Sequence, residues 1–165
     1  MQLSKPVQDA MNAQVQKELA SAYLYLAMAA YFSESTLNGF AHWMRIQGRE
    51  EMGHALKFFD YLHDRNGHVT FLAIPQPEAA WASPLAAFEA ARKHEEVVSA
   101  SIREIYDLAV KEKDYPSQAL LQWFMVEQVE EEKASREIVD TLTMIGDNRV
   151  GVLMYDKELG RRNAG

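Results

Sequence analysis

Apolar residues recur at steps of three and four in four long segments of the chain, with polar residues between them. The segments are rich in Ala, Leu, Glu, Gln and Met, which favour helix. Most Gly and Pro residues fall in the breaks between the segments. The pattern predicts five helices, α1 to α5, over 5–34, 37–65, 84–112, 116–145 and a short 149–159.

Residues that start and stop helices flank these segments. Predicted N-caps stand just ahead of a proline at three of the starts, as Ser4, as Ser83 and as Asp114 or Tyr115. Gly67 and Gly146 are typical of positions just beyond a helix end. These residues therefore predict that the helices begin and end at the breaks.

The lengths of the connections predict the topology. The α1–α2 and α3–α4 breaks have only a few residues, so each pair should form an antiparallel hairpin. The α2–α3 connection has about 18 residues, enough to follow a helix of about 42 Å when extended. We therefore expect one all-α domain over 1–165, a four-helix bundle with one long crossover and a short C-terminal fifth helix. The alternative is a plain antiparallel bundle with a floppy loop.

Each long helix carries an ionisable residue near the middle of its apolar face. These residues are Glu18 on α1, Glu51 and His54 on α2, Glu95 on α3 and Glu131 on α4. Each Glu lies near the middle of its helix, so in an antiparallel bundle they should meet at one level. The pattern predicts four carboxylates and one imidazole inside the bundle.

Buried carboxylates need a compensating charge. A single buried Glu costs several kcal/mol or takes up a proton. No Lys or Arg falls at the middle of these apolar faces. Two divalent metal ions would balance the four negative charges. Oxygen ligands with one imidazole suit iron or manganese and leave zinc open.

The predicted ligands divide between two metal positions. The first takes Glu18, Glu51 and His54, of which Glu51 and His54 share a helix face at i, i+3 spacing. The second takes Glu51, Glu95 and Glu131 and has no nitrogen ligand. It should therefore hold metal more loosely, which suits a site that releases its oxidised product.

A second acidic set lies beside the first. In di-iron bundles two helices each supply a Glu-x-x-His pair, but α4 has Glu127-Gln-Val-Glu130 instead. Glu50, Glu127 and Glu130 neighbour the predicted ligands in sequence. They form either a solvated charge run or a third metal position or exit route.

Composition excludes several classes of function. The 165 residues carry 24 acidic and 17 basic side chains, a net charge of −7, so nucleic-acid binding by phosphate neutralisation is disfavoured. The chain has no Cys, which excludes disulfides, thiolate metal sites and cysteine nucleophiles. It shows no membrane-length apolar run and no signal peptide, so we expect a cytoplasmic protein without a membrane partner.

Five segments together resemble one known family. They are KELASAYLY (17–25), REEMGHALKFFDYL (49–62), KHEEVV (93–98), DYPSQALLQWF (114–124) and EQVEEEK (127–133). The chain is similar to the ferritins, in particular the bacterial non-haem type, over essentially its whole length.

The resemblance implies a ferritin-like fold and ferroxidase chemistry. Two or three iron ions per subunit would bind, O2 or H2O2 would oxidise Fe(II), and ferric mineral would collect inside a homo-oligomeric shell of 24 subunits. It also implies a site role for Gln128, close to the second iron position, and for Tyr25, which matches a tyrosine thought to supply an electron. The alternative for Tyr25 is a buried, hydrogen-bonded tyrosine.

Three alternatives stay open from the sequence. A bacterioferritin-like variant would bind haem through Met52, but the bacterioferritin histidine is missing from α4. A di-iron or di-manganese oxidase with a fixed cofactor would be favoured by a second nitrogen ligand on α4, which is also missing. A helical assembly module would use its acidic residues only for solvation.

Overall fold

The computed structural model describes residues 3–163 and confirms the all-α prediction. Its helices are α1 (Lys5–Glu34), α2 (Asn38–Asp64), α3 (Pro84–Lys111), α4 (Tyr115–Ile145) and α5 (Arg149–Leu159). No strand occurs within residues 3–163. No helix in this range is both long and apolar enough to cross a membrane. The outermost residues of the predicted domain, 1–2 and 164–165, lie outside the described range.

The helix ends lie within one residue of the prediction, and side-chain caps explain the starts of α3, α4 and α5. Asn148 Oδ1 caps α5 by accepting hydrogen bonds from the Val150 and Gly151 amides, both at 3.1 Å. Ser83 Oγ accepts a hydrogen bond from the Ala86 amide at 3.1 Å. Asp114 Oδ1 accepts one from the Ser117 amide at 3.3 Å, so Asp114 and not Tyr115 is the N-cap of α4. Gly146 ends α4 with a φ of 56°, a conformation that glycine adopts without steric cost.

Two predicted end signals lie where expected but act through other contacts than a side-chain cap or a positive φ. Ser4 is the N-cap of α1, but its side chain makes no capping hydrogen bond. Gly67 lies beyond the C-cap residue of α2, Arg65, and the positive φ of 53° belongs to Asn66. Gly67 is needed for space instead, since a Cβ there would lie 2.9 Å from the Leu62 carbonyl oxygen.

The α2–α3 connection is an ordered crossover that follows α1. Asn12 Nδ2 donates to the His68 carbonyl at 2.9 Å, and its Oδ1 accepts from the Thr70 amide at 2.7 Å. At the far end of α1, the rings of Tyr31 and Trp81 lie 5.4 Å apart. The crossover therefore runs parallel to α1, as the bundle prediction requires and the floppy-loop alternative does not.

A polar layer divides the apolar core into two clusters. The cluster nearer α5 is built on large side chains that include Phe32, Phe40, Trp43, Met44 and Phe88. The cluster at the other end includes Val7, Met11, Phe58, Leu62 and Phe124. On every long helix the core-face glutamate lies between residues of these two clusters, so the four glutamates share one level of the bundle.

The short helix α5 docks on the start of α2. Asp156 is buried, and its Oδ1 accepts a hydrogen bond from the Phe40 amide at 2.8 Å. This amide belongs to the first turn of α2, whose N–H groups have no partner within the helix. Asp156 therefore completes α2 from outside, and α5 closes the bundle end.

Candidate metal centre

Four glutamates and one histidine are buried in the polar layer. Only 1% of the surface of Glu18, Glu51 and Glu95 is exposed, against 6% for His54 and 8% for Glu131. Within residues 3–163 no lysine or arginine is buried. Among the described residues, the layer therefore holds four acidic groups and one imidazole, with no buried lysine or arginine to neutralise them.

Burial and mutual repulsion raise the pKa of these carboxyl groups. Burial, followed by the charge of Glu51, raises the pKa of Glu18 to about 8. Burial, followed by the charge of Glu95, raises the pKa of Glu131 to about 7. Burial also raises the pKa of Glu51 and of Glu95. In the metal-free protein these groups are therefore stabilised by protons, and a cation could take the protons' place.

Glu18, Glu51 and His54 converge on one point. One potential ligand atom from each lies within 4.8 Å of the others. Each of the three residues has one buried side-chain atom without a hydrogen-bond partner, namely Glu18 Oε2, Glu51 Oε2 and His54 Nδ1. The arrangement offers two carboxylate oxygens and one imidazole nitrogen to a metal ion.

Gly48 allows this convergence. A Cβ at residue 48 would lie 3.3 Å from the carbonyl oxygen of Ala22, which is tighter than most real contacts. The missing side chain lets α1 and α2 approach closely at the level of the glutamates. The two helices thereby bring Glu18 and Glu51 together.

Glu95 faces the same layer but is held by other partners. Its Oε1 accepts a hydrogen bond from the hydroxyl of the fully buried Tyr25. Its Oε2 accepts one from Gln128 Nε2 at 3.2 Å. Gln128 Nε2 is also 3.1 Å from Ser99 Oγ. The predicted site residues Tyr25, Glu95 and Gln128 are therefore directly linked, although Glu95 is not part of the three-residue convergence.

Glu131 is tied to α2 through Gln47. Gln47 Nε2 donates to Glu131 Oε2 at 2.7 Å and to Glu51 Oε1 at 3.4 Å. Gln47 is completely buried. One amide group therefore orients two of the predicted ligands of the second metal position.

A second group of potential ligands overlaps the predicted third position only in part. His54, Glu127 and Glu131 each place a ligand atom within 4.8 Å of the others. Glu50 is half-buried and instead pairs with Arg162, whose Nη2 lies 2.6 Å from Glu50 Oε2. Glu130 is exposed. The structure thus brings Glu127 to the buried centre and leaves Glu50 and Glu130 at its edge.

Sequence reasoning missed the glutamines that orient the carboxylates. Gln14 Nε2 donates to Glu18 Oε1 at 2.8 Å, and Gln47 acts likewise on Glu51. The signal was present, since each glutamine stands four residues before its glutamate and therefore on the same helix face. Arg162 lies far from the centre in sequence, and no pattern in the chain marks it.

Fold and site together define the protein as an all-α four-helix bundle with a carboxylate-lined interior. Comparison with known proteins shows to which family of such bundles it belongs. A model of the family "Ferritin-like domain" matches residues 8–145. The chain therefore belongs to the ferritin family.

Individual relatives are similar over almost the whole chain. A bacterial non-heme ferritin of Staphylococcus saprophyticus is 39% identical over 161 residues, which cover 98% of this chain and 96% of the relative. A bacterial non-heme ferritin of Bacteroides fragilis is 40% identical over 160 residues, which cover 97% of this chain and 99% of the relative. The crystal structure of an open-pore ferritin from the archaeon Archaeoglobus fulgidus superposes with a TM-score of 0.97, at 44% identity and 98% coverage of both chains.

Proposed function

We propose that this protein stores iron and oxidises Fe(II) at a centre inside each subunit. The observation that carries the proposal is the buried layer of Glu18, Glu51, Glu95 and Glu131, which no buried lysine or arginine balances in the described part of the chain, residues 3–163. Such a layer is costly without cations. Non-heme ferritins among the relatives support iron as the cation.

The residues divide between two iron positions in this proposal. Glu18, Glu51 and His54 bind the first Fe(II), and their convergence within 4.8 Å supports this assignment. Glu51, Glu95 and Glu131 bind the second, with Glu51 shared by both. Each Glu95 oxygen already accepts a hydrogen bond, from Tyr25 and from Gln128, and would bind the metal ion through its remaining lone pair.

A third position would accept iron at the edge of the centre. Glu127 lies close to His54 and Glu131 and is its best-placed ligand. Glu130 is exposed and free to turn inward, while Glu50 must first leave Arg162. Two or three iron ions per subunit are therefore proposed, with the third bound least tightly.

The chemistry is electron transfer from iron to oxygen. Two Fe(II) ions each lose one electron, and the pair of electrons reduces one O2 with two protons to H2O2, or one H2O2 with two protons to two water molecules. Hydrolysis of Fe(III) then releases protons and gives an insoluble ferric oxyhydroxide. Hard carboxylate oxygens favour Fe(III) over Fe(II), so the ligand set promotes the oxidation.

Tyr25 is proposed as an auxiliary electron donor. Burial and then the neighbouring charge of Glu95 raise the pKa of Tyr25 well above its usual value, so its phenol keeps the proton. Oxidation of a phenol releases an electron and a proton together. Glu95, which accepts the Tyr25 hydrogen bond, is the direct acceptor for that proton.

A ferric mineral must be enclosed to stay in solution, and we propose that a hollow homo-oligomeric shell of 24 subunits encloses it. Membership of the ferritin family supports this assembly. The whole chain, 1–165, would form one domain of each subunit. A cytoplasmic location and the absence of a nucleic-acid partner stay predictions from the sequence.

Aerobic addition of Fe(II) to the purified protein tests the proposal, alongside its native mass. The expected result is uptake of hundreds of iron atoms per assembly, with an amber colour and a rate well above that of buffer. Uptake that stops at two per chain would favour the fixed-cofactor oxidase. A rate equal to buffer would favour the assembly module, and a Soret band would reveal the haem-binding variant.

A further inference from the structure

Arg162 reaches from the segment after α5 into the edge of the polar layer. Its Nη1 donates to Gln47 Oε1 at 2.9 Å, and its Nη2 donates to Glu50 Oε2 at 2.6 Å. The guanidinium lies over the ring of Trp43, 4.6 Å from the centroid. Its carbonyl oxygen is 2.8 Å from His42 Nε2. Arg162 is therefore fixed by contacts of its backbone and of its guanidinium.

The contact with Gln47 decides which way that amide points. A glutamine amide has an accepting oxygen and a donating nitrogen on opposite sides. Arg162 can only donate, so it holds the Gln47 oxygen and leaves Nε2 facing Glu51 and Glu131. The reversed amide would place its NH2 against a cation and its oxygen against two carboxylates. Both contacts of the reversed orientation are repulsive.

We propose that Arg162 is a positioning residue for the second metal position. It acts through Gln47, whose amide holds one oxygen of Glu131 at 2.7 Å and thereby directs the other toward the centre. This inference rests on the proposed function, since it concerns binding at the Glu51, Glu95 and Glu131 position. Partners that orient metal ligands in this way usually change affinity by about 10- to 100-fold.

The first metal position provides an internal reference. Its Glu18 is oriented by Gln14 at 2.8 Å. Gln14 is in turn held by Ser101, which donates to Gln14 Oε1 at 2.6 Å. This chain of hydrogen bonds joins α1 to α3 and does not involve Arg162. Gln47 also contacts Glu51, which both positions share, but at 3.4 Å against 2.7 Å for Glu131. Loss of Arg162 should therefore weaken the second position much more than the first.

The test is anaerobic calorimetric titration of the full-length assembled protein with Fe(II). A Glu131→Ala variant identifies which class of binding sites is the second position. We expect Arg162→Ala to weaken that class about tenfold and to change the first class far less. Arg161→Ala is the matched control, because it removes the same charge from the adjacent, exposed residue.

Two further variants separate positioning from anchoring of the chain end. Arg162→Lys keeps a cationic donor and should restore part of the affinity of the second class. In a Gln47→Met background, Arg162→Ala should cause no additional weakening, since the amide through which it acts is gone. Gln47→Met alone keeps Arg162 and should itself weaken the second class, so it gives an answer if Arg162→Ala assembles poorly.

Each outcome of these titrations either supports or overturns the positioning role of Arg162. Equal weakening of both classes, a lower metal-free melting temperature with unchanged affinities, or full additivity in the Gln47→Met background would overturn the positioning role. If the wild type itself shows no class that Glu131→Ala removes, the proposed function fails instead. Selective weakening with rescue by lysine would support the proposal.

Discussion

Gly39 of α2 is in direct contact with the backbone of Asp156 in α5. A Cβ at residue 39 would lie 1.6 Å from the Asp156 carbonyl oxygen, a distance at which one of the helices must move. The Asp156 side chain accepts the Phe40 amide at the same junction. Close approach of the two backbones therefore requires glycine at residue 39.

We expect Gly39→Ala to destabilise each subunit by about 1–3 kcal/mol, the usual cost of overpacking. The displaced α5 should lose the Asp156 hydrogen bond to Phe40. Thermal melts measure the stability, and amide hydrogen exchange over Arg149–Leu159 should show faster exchange in the variant.

Gly53→Ala is the control for the glycine substitution. Gly53 is exposed on α2, and a Cβ there would meet nothing within 4 Å. Alanine should stabilise the helix by up to about 1 kcal/mol. Equal effects of the two substitutions would show that α5 does not press on residue 39.

The metal-free protein should become less stable as pH rises. The pKa of Glu18 is about 8 in the folded state against 4.5 without burial, and that of Glu131 is about 7. The folded state thus binds protons more tightly than the unfolded state. The associated stability is complete below pH 4.5 and is lost as pH rises toward 8, by a few kcal/mol. Melting temperatures measured in chelator across pH 5.5–8.5 test this expectation.

Glu18→Gln isolates the contribution of one carboxyl group. The amide has no proton to lose, so the variant should melt higher than wild type at pH 8 and nearly equally at pH 5. Glu89→Gln, an exposed change on α3, should leave the profile unaltered. A profile for Glu18→Gln as steep as that of wild type would contradict the role of Glu18.

The fold was predictable because the helix signals are local. Ser83 and Asp114 cap their helices through neighbours three residues away, and Gly146 ends α4 by its own backbone preference. The crossover was predictable from length alone. The space requirement at Gly67 was not fully predictable, because the side chain of Gln8 on α1 meets Gly67 only in the folded chain.

The candidate site was predictable only in its residue types. A Glu at the middle of an apolar helix face indicates burial, and the structure places all four within one layer. Their rotamers depend on contacts between helices, so the bond from Tyr25 to Glu95 was not visible in the sequence. Arg162 depends on how α5 docks, which no helical period encodes. The assignment of ligands to iron stays a prediction.

We expect Glu51→Gln to slow Fe(II) oxidation by at least about tenfold, because Glu51 is proposed to serve both iron positions. The amide keeps the size of the side chain, so assembly should be intact by native mass. Stopped-flow absorbance of the ferric product measures the rate, with Glu89→Gln as the charge-matched control. Wild-type kinetics in Glu51→Gln would remove the bridging assignment.

Tyr25→Phe should separate binding from oxidation. Phenylalanine fills the same space but gives Glu95 no hydrogen bond and no oxidisable phenol. Anaerobic Fe(II) binding at the first position should be unchanged, while oxidation slows severalfold. Electron paramagnetic resonance of freeze-quenched samples should show a tyrosyl radical in wild type that the variant lacks. Identical oxidation rates would leave Tyr25 a purely packing residue.

The split apolar core links the lifetime of the protein to its cargo. Two clusters separated by acidic groups bury less apolar surface than one continuous core would, and cations bound as proposed would offset the loss by stabilising only the folded chain. We expect empty subunits to be cleaved by a protease faster than iron-loaded ones. Occupancy of the acidic layer would then set how long each subunit survives a protease.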